Sequence, residues 1–177
     1  MENMQNKIIE LGANKVSVVN VSDIPFEPSL LDLCKMNTCG NYMKSWTCPP
    51  LAGDIDDLIA TAKGYDKMLV FQAVYTLTDS FDIEGMFEAN QKFRRLTESV
   101  DEVCNGELNP HITLSAGGCD ICKPCKAASE EPCINPDKAF VPLEAYGIFV
   151  SKLAEIAKIP YINGVNTVTY FGGVLFN

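Results

Sequence analysis

The sequence predicts an α/β fold: residues 1–177 as one domain, a sandwich with a roughly four-stranded mixed or parallel sheet flanked by helices and carrying two cysteine-rich loops. Three observations predict it. Runs rich in β-branched and aromatic residues alternate along the chain with apolar stripes of helical period. At 177 residues, 47% of them apolar and 21% charged, the chain has the length and composition of one globular domain. Gly117 to Pro142 is the only long stretch without apolar periodicity, and a loop of that length inside a compact domain needs a reason.

The elements follow in order. Asn6 to Gly12 reads as a short helix stopped by glycine, and Lys15 to Val21 alternates as a first strand. Asp54 caps a helix through Lys63, with Asp56 and Asp57 in the first turn favouring the helix dipole and Gly64 just past its end. Lys67 to Leu77 is a strong β-run. Met86, Ala89, Phe93, Leu96, Val100 and Val103 then recur at steps of three and four, the stripe of one long helix ended by Asn105-Gly106. His111 to Ala116 alternates as a short strand. Pro142 is expected to open a helix whose stripe is Leu143, Tyr146, Val150, Leu153 and Ala157. A last strand runs from about Val165 to Phe176, and Gly172-Gly173 within it predicts a bulge or a close backbone approach.

The net charge of −9 disfavours a nucleic-acid surface, which needs clustered Lys and Arg. An acidic surface suits a redox protein that docks on a basic partner. Met1 to Leu11 lacks a basic region followed by an apolar one, and no stretch approaches the roughly 20 apolar residues of a membrane span. The expectation is a soluble, cytoplasmic protein without nucleic-acid or membrane partners. Eight cysteines in a reducing compartment are read as metal ligands before disulfides.

All the cysteines but Cys104 fall in two windows. In the loop 117–136, Gly118-Cys119-x2-Cys122-x2-Cys125-x7-Cys133-x2-Pro136 brings three thiolates from one tight turn onto one object, as the C-x2-C-x2-C run of ferredoxins does. Cys133 is far enough along to loop back as the fourth ligand. Zinc also accepts four thiolates, but it favours two separated knuckles over three ligands crowded into one, so the spacing favours iron–sulfur of the [4Fe–4S] kind, with zinc as the alternative. In the loop 34–50, Cys34-x4-Cys39-Gly40-x-Tyr42-x3-Trp46-x-Cys48-Pro49-Pro50 offers three thiolates, enough for a second cluster with one iron open to a small-molecule ligand. Cys104 is a candidate fourth ligand there, although a lone cysteine at a helix end is more often a buried apolar residue. His111, the single histidine, reads as a strand residue and not a ligand. No phosphate loop, Ser/His/Asp set or H-E-x-x-H is present. Each cysteine loop follows a strand, so parallel strands would bring both to one carboxyl edge; antiparallel strands would remove that argument.

The chain resembles a family of predicted metal-binding proteins from anaerobic bacteria and archaea, domain of unknown function 2284. The resemblance rests on Cys34-x4-Cys39-Gly40-x-Tyr42, Trp46-x-Cys48-Pro49-Pro50, Gly118-Cys119-x2-Cys122-x2-Cys125, Cys133-x2-Pro136 and Glu144-Ala145-Tyr146-Gly147, and covers nearly the whole chain. It implies metal binding through Cys34, Cys39, Cys48, Cys119, Cys122, Cys125 and Cys133, with no equivalent of Cys104 and no assigned reaction.

Overall fold

The computed structural model describes residues 1–177 and consists of a five-stranded mixed sheet with helices on both faces. The elements are α1 (Glu2–Glu10), β1 (Lys15–Asn20), α2 (Leu30–Lys35), α3 (Ile55–Lys63), β2 (Lys67–Thr76), α4 (Ile83–Asn105), β3 (His111–Ser115), β4 (Val141–Pro142), α5 (Val150–Ala157) and β5 (Thr167–Phe176). The sheet order is β1-β2-β5-β3-β4, and only the two-residue β4 runs parallel to its neighbour. No helix is long and apolar enough to cross a membrane.

Local chemistry accounts for the helix ends. The Asp54 carboxylate accepts the backbone N–H of Asp56 at 2.9 Å to open α3. Asp82 accepts that of Gly85 at 2.8 Å to open α4, which therefore begins before the predicted stripe. α1 likewise starts earlier than its glycine-terminated pattern suggested, at Glu2.

β2 is buried on both faces, so its side chains divide between two cores. Met68 and Val70 pack with Leu143, Ile148, Leu153, Ala154 and Phe171. Leu69, Phe71 and Ala73 pack with Met4, Ile8, Phe93, Leu96 and Val100. Continuous apolar strands of this kind belong to sheets covered on both sides. The Gly172-Gly173 pair is the predicted close approach and not a bulge, because β5 pairs with β2 without interruption from Thr167 to Phe176. A Cβ at Gly172 would lie 2.3 Å from the Phe71 ring, so the large ring fills the space that glycine leaves.

Two expectations are corrected. The single helix expected from Pro142 is two pieces: Pro142 ends β4, Leu143–Tyr146 form one 3-10 turn, and Gly147 at φ +68° breaks the path before α5. The apolar spacing of the turn continues into α5, which is why one stripe spans both. Second, β1 runs opposite to β3, so their carboxyl ends lie at opposite edges of the sheet and no shared edge unites the cysteine loops. The loops meet by another route. Residues 21–54 travel across the α3/α5 face, pinned by the bridge between Phe26 and Ile148, and α2 packs on the Leu143–Tyr146 turn beside the exit of β3.

Candidate metal centre

The first thiol set is built on a helix that the sequence left unassigned. Cys34 lies in the last turn of α2, Cys39 is exposed in the following turns, and Cys48 is buried. The three line one pocket of about 370 Å³ together with Tyr42, the Gly117-Gly118 backbone and Glu144. Burial pushes the Cys34 thiol up, and the neighbouring Cys39 and Glu144 add to it. Cys48 is pushed up to about 11, chiefly by burial, against the hydroxyls of Thr47 and Ser45, which hydrogen-bond to its sulfur. Thiols held this way stay protonated until a metal replaces the proton.

The second set, Cys119, Cys122, Cys125 and Cys133, lines one slot with Trp46, Ser45 and Thr47. The space between them is about 10 Å³, room for roughly one water. Between Gly117 and Pro142 the only regular structure is two short 3-10 turns and the strand start at Val141. Side chains of α4 and its start anchor the loop: Arg94 pairs with Asp120 at 2.9 Å, Glu98 reaches Lys138 at 3.4 Å, and the Lys123 ammonium lies 3.7 Å from the centre of the Phe87 ring.

Within this loop the thiols are not equivalent. Burial raises Cys119, partly offset by the Ile121 N–H. On Cys125 burial again acts upward but is outweighed by the N–H groups of Ala127 and Trp46, the Ser45 hydroxyl and the Cys122 thiol, leaving it below the ordinary thiol value. Cys125 is thus more ready than Cys119 to ionise and to bond to a metal.

The two sets are joined through a pair of buried hydroxyls. Ser45 Oγ and Thr47 Oγ1 are 3.1 Å apart, and Thr47 Oγ1 accepts the Cys119 N–H at 3.1 Å. Ser45 also hydrogen-bonds to sulfur in both sets, at Cys48 and at Cys125. A hydroxyl has one proton to give, so the two sulfurs compete for it. Gly118 lets the loops approach this closely: a Cβ there would lie 2.7 Å from Asn41 Nδ2 and 3.2 Å from Cys48 Sγ.

Trp46 adds the outer clasp, its indole N–H donating to the Glu131 carbonyl at 2.9 Å. Trp46→Phe keeps the ring and removes that bond; the expected loss is about 0.5–1.5 kcal/mol of unfolding free energy, read from denaturant melts. An unchanged midpoint would show that the clasp contributes nothing.

The structure places Cys34, Cys39 and Cys48 around one pocket and Cys119, Cys122, Cys125 and Cys133 around another. No three Cys, His, Asp or Glu side chains stand close enough together to share a single metal ion. Cys104 is excluded from both sets. It is fully buried in the core with Ile8, Phe93 and Val100, and burial first, then Asp101 and Glu107, pushes its thiol up to about 12. His111 pairs through Nε2 with Asp101 at 3.1 Å, as a strand residue. Ser45, Thr47 and Glu144 were not singled out from the sequence as site residues. Hydroxyls flanking a cysteine carry no spacing signal, and Glu144 stood out only within the Glu144–Gly147 motif.

The donor chemistry of both pockets is that of a thiolate metal site. No curated protein and no solved structure matches the chain. The profile of the predicted metal-binding protein family DUF2284 does match, over residues 17–176 of 177, and the chain belongs to that family.

Proposed function

We propose that the protein is an iron–sulfur protein with a redox or electron-transfer role. In this reading Cys119, Cys122, Cys125 and Cys133 hold one [4Fe–4S] cluster, and Cys34, Cys39 and Cys48 hold a second whose remaining iron is open to a small molecule. The observation that carries it is the contact between the two thiol sets through Ser45, Thr47 and the Cys119 N–H. Such clusters supply one-electron transfer, with potentials set by hydrogen bonds to sulfur and by exposure to water.

The residues do the rest. A tetrahedral zinc ion with bonds of about 2.3 Å draws its four sulfurs to within roughly 4 Å of one another. Three of the four thiols of the 117–136 loop come from one C-x2-C-x2-C run, a crowding that suits a cube in which each sulfur binds a separate iron. Trp46 lies across the four-thiol slot and limits water there. Ser45 and Thr47 make the electrostatic state of one set felt by the other, because the Ser45 hydroxyl acts on both Cys48 and Cys125 and Thr47 acts on Cys48 while accepting the Cys119 N–H. The pocket beside the three-thiol set opens past Leu33 and Met36, which are 61% and 71% exposed, so a small-molecule ligand has a path in. The surplus of carboxylates suits a basic redox partner.

Protein purified without air tests this. The expected preparation is brown, absorbs broadly at about 400 nm, bleaches on reduction and contains iron and acid-labile sulfide in about equal amounts. Colourless protein holding zinc without sulfide, unfolded by a chelator and unchanged by reductant, would replace the reading with a structural zinc protein.

A further inference from the structure

Glu144 is the one charged side chain among the residues lining the three-thiol pocket, and no ion pair in the protein includes it. The Glu144 side chain is half-buried, burial pushes its carboxyl above the ordinary carboxylate range, and it is close enough to Cys34 to be felt by that thiol. A carboxylate turned into a largely apolar pocket without a cation is costly. The backbone nonetheless fixes it there. β4 pairs with β3 just before the residue, and Leu143, Ala145 and Tyr146 on either side are buried. The Gly147 carbonyl accepts the Glu27 N–H at 2.7 Å, and a Cβ at Gly147 would lie 2.7 Å from Ile59 Cδ1. α2, which carries Cys34, packs on the same turn. The position of Glu144 beside Cys34, in the pocket that Cys39 and Cys48 also line, is thus set by packing from three sides.

Three thiols and one carboxylate line this pocket, and no base pairs with the carboxylate. From this geometry we infer that Glu144 supplies the fourth protein ligand of the centre held by Cys34, Cys39 and Cys48, its carboxylate binding the iron that no thiolate reaches. The inference rests on the iron–sulfur reading above. The other side-chain oxygens lining the pocket, on Thr38 and Tyr42, are hydroxyls that would have to ionise to match a carboxylate as an iron ligand. An oxygen ligand on an otherwise sulfur-bound cluster is the weakest of the four bonds. The iron beneath it is therefore held by Glu144 at rest and is the first to accept an incoming ligand.

The test compares wild type, Glu144→Gln, Glu144→Cys and Cys34→Ala, all prepared without air. Iron, sulfide and electron paramagnetic resonance spectra are recorded before and after a fixed dose of ferricyanide. Wild type is expected to keep its iron. Glu144→Gln, nearly isosteric but a poor ligand, should lose about one iron per chain to the oxidant and develop the signal of a three-iron cluster. Glu144→Cys should restore resistance by supplying a fourth thiolate. The signal of the four-thiol centre, unchanged throughout, reports that each variant is folded. If Glu144→Gln and wild type give the same reduced spectrum and lose iron equally, Glu144 is not a ligand and the cluster reading stands without it. If Cys34→Ala leaves the iron content of wild type unchanged, the three-thiol centre is absent, and the Glu144 inference fails together with that half of the iron–sulfur reading.

Discussion

Replacement of Cys122 by alanine is expected to remove about half of the iron, from about eight to about four per chain, while the signal of the three-thiol centre survives. The four thiols lie on one loop with almost no secondary structure, so deleting the second of them leaves no nearby donor to substitute. The loss should extend to stability. Metal binding to such a loop is also folding free energy for it, and the segment from Gly117 to Pro142 should become a preferred site of proteolysis when its cluster is gone. Iron analysis and limited proteolysis of the anaerobic protein read both effects. Full iron retention in Cys122→Ala would remove Cys122 from the ligand set. Loss of all iron would show that the Ser45–Thr47 connection makes the two centres interdependent in assembly and not only in electrostatics.

Phe93→Ala is the substitution expected to cost most in the fold itself, about 3–5 kcal/mol. Phe93 is 1% exposed and stacks on Phe71, with ring centres 5.6 Å apart, and on Tyr170, at 5.4 Å. Aromatic pairs of this kind contribute beyond the area they bury. The loss is a large fraction of the roughly 5–15 kcal/mol that holds an ordinary domain folded, so the variant's melting temperature should fall by many degrees. The ring also lines a small cavity together with Gly117 to Cys119, at the start of the four-thiol loop. Denaturant melts of the metal-free proteins isolate the packing effect. A change below about 1 kcal/mol would mean that the α4 face of the sheet collapses readily around the cavity.

What could be read from the sequence was what depends on neighbours along the chain. The caps of α3 at Asp54 and Gly64, the stripe of α4 and the uninterrupted apolar run of β2 are each set by local chemistry and a fixed period. The cysteine sets were legible for the same reason, since their ligands are close in sequence. α2 escaped notice because six residues carry too little periodicity, although it holds Cys34. The opposed directions of β1 and β3 depend on β5, which lies between β2 and β3 and is the last strand in the chain. No local pattern encodes that pairing. Ser45, Thr47 and Glu144 matter because residues 21–54 fold across to the 117–142 loop, and their roles come from that contact alone.

The central place of β5 bears on how the protein is made. Translation delivers both sets of cysteines before the strand that joins the two parts of the sheet. Roughly 40 residues separate Cys133 from the end of β5, so at about 5–20 residues per second the ribosome takes roughly 2–9 s to supply it. Until β5 has joined the sheet the thiols lack the scaffold that spaces them, so a cell making this protein gains by keeping its nascent cysteines reduced until then.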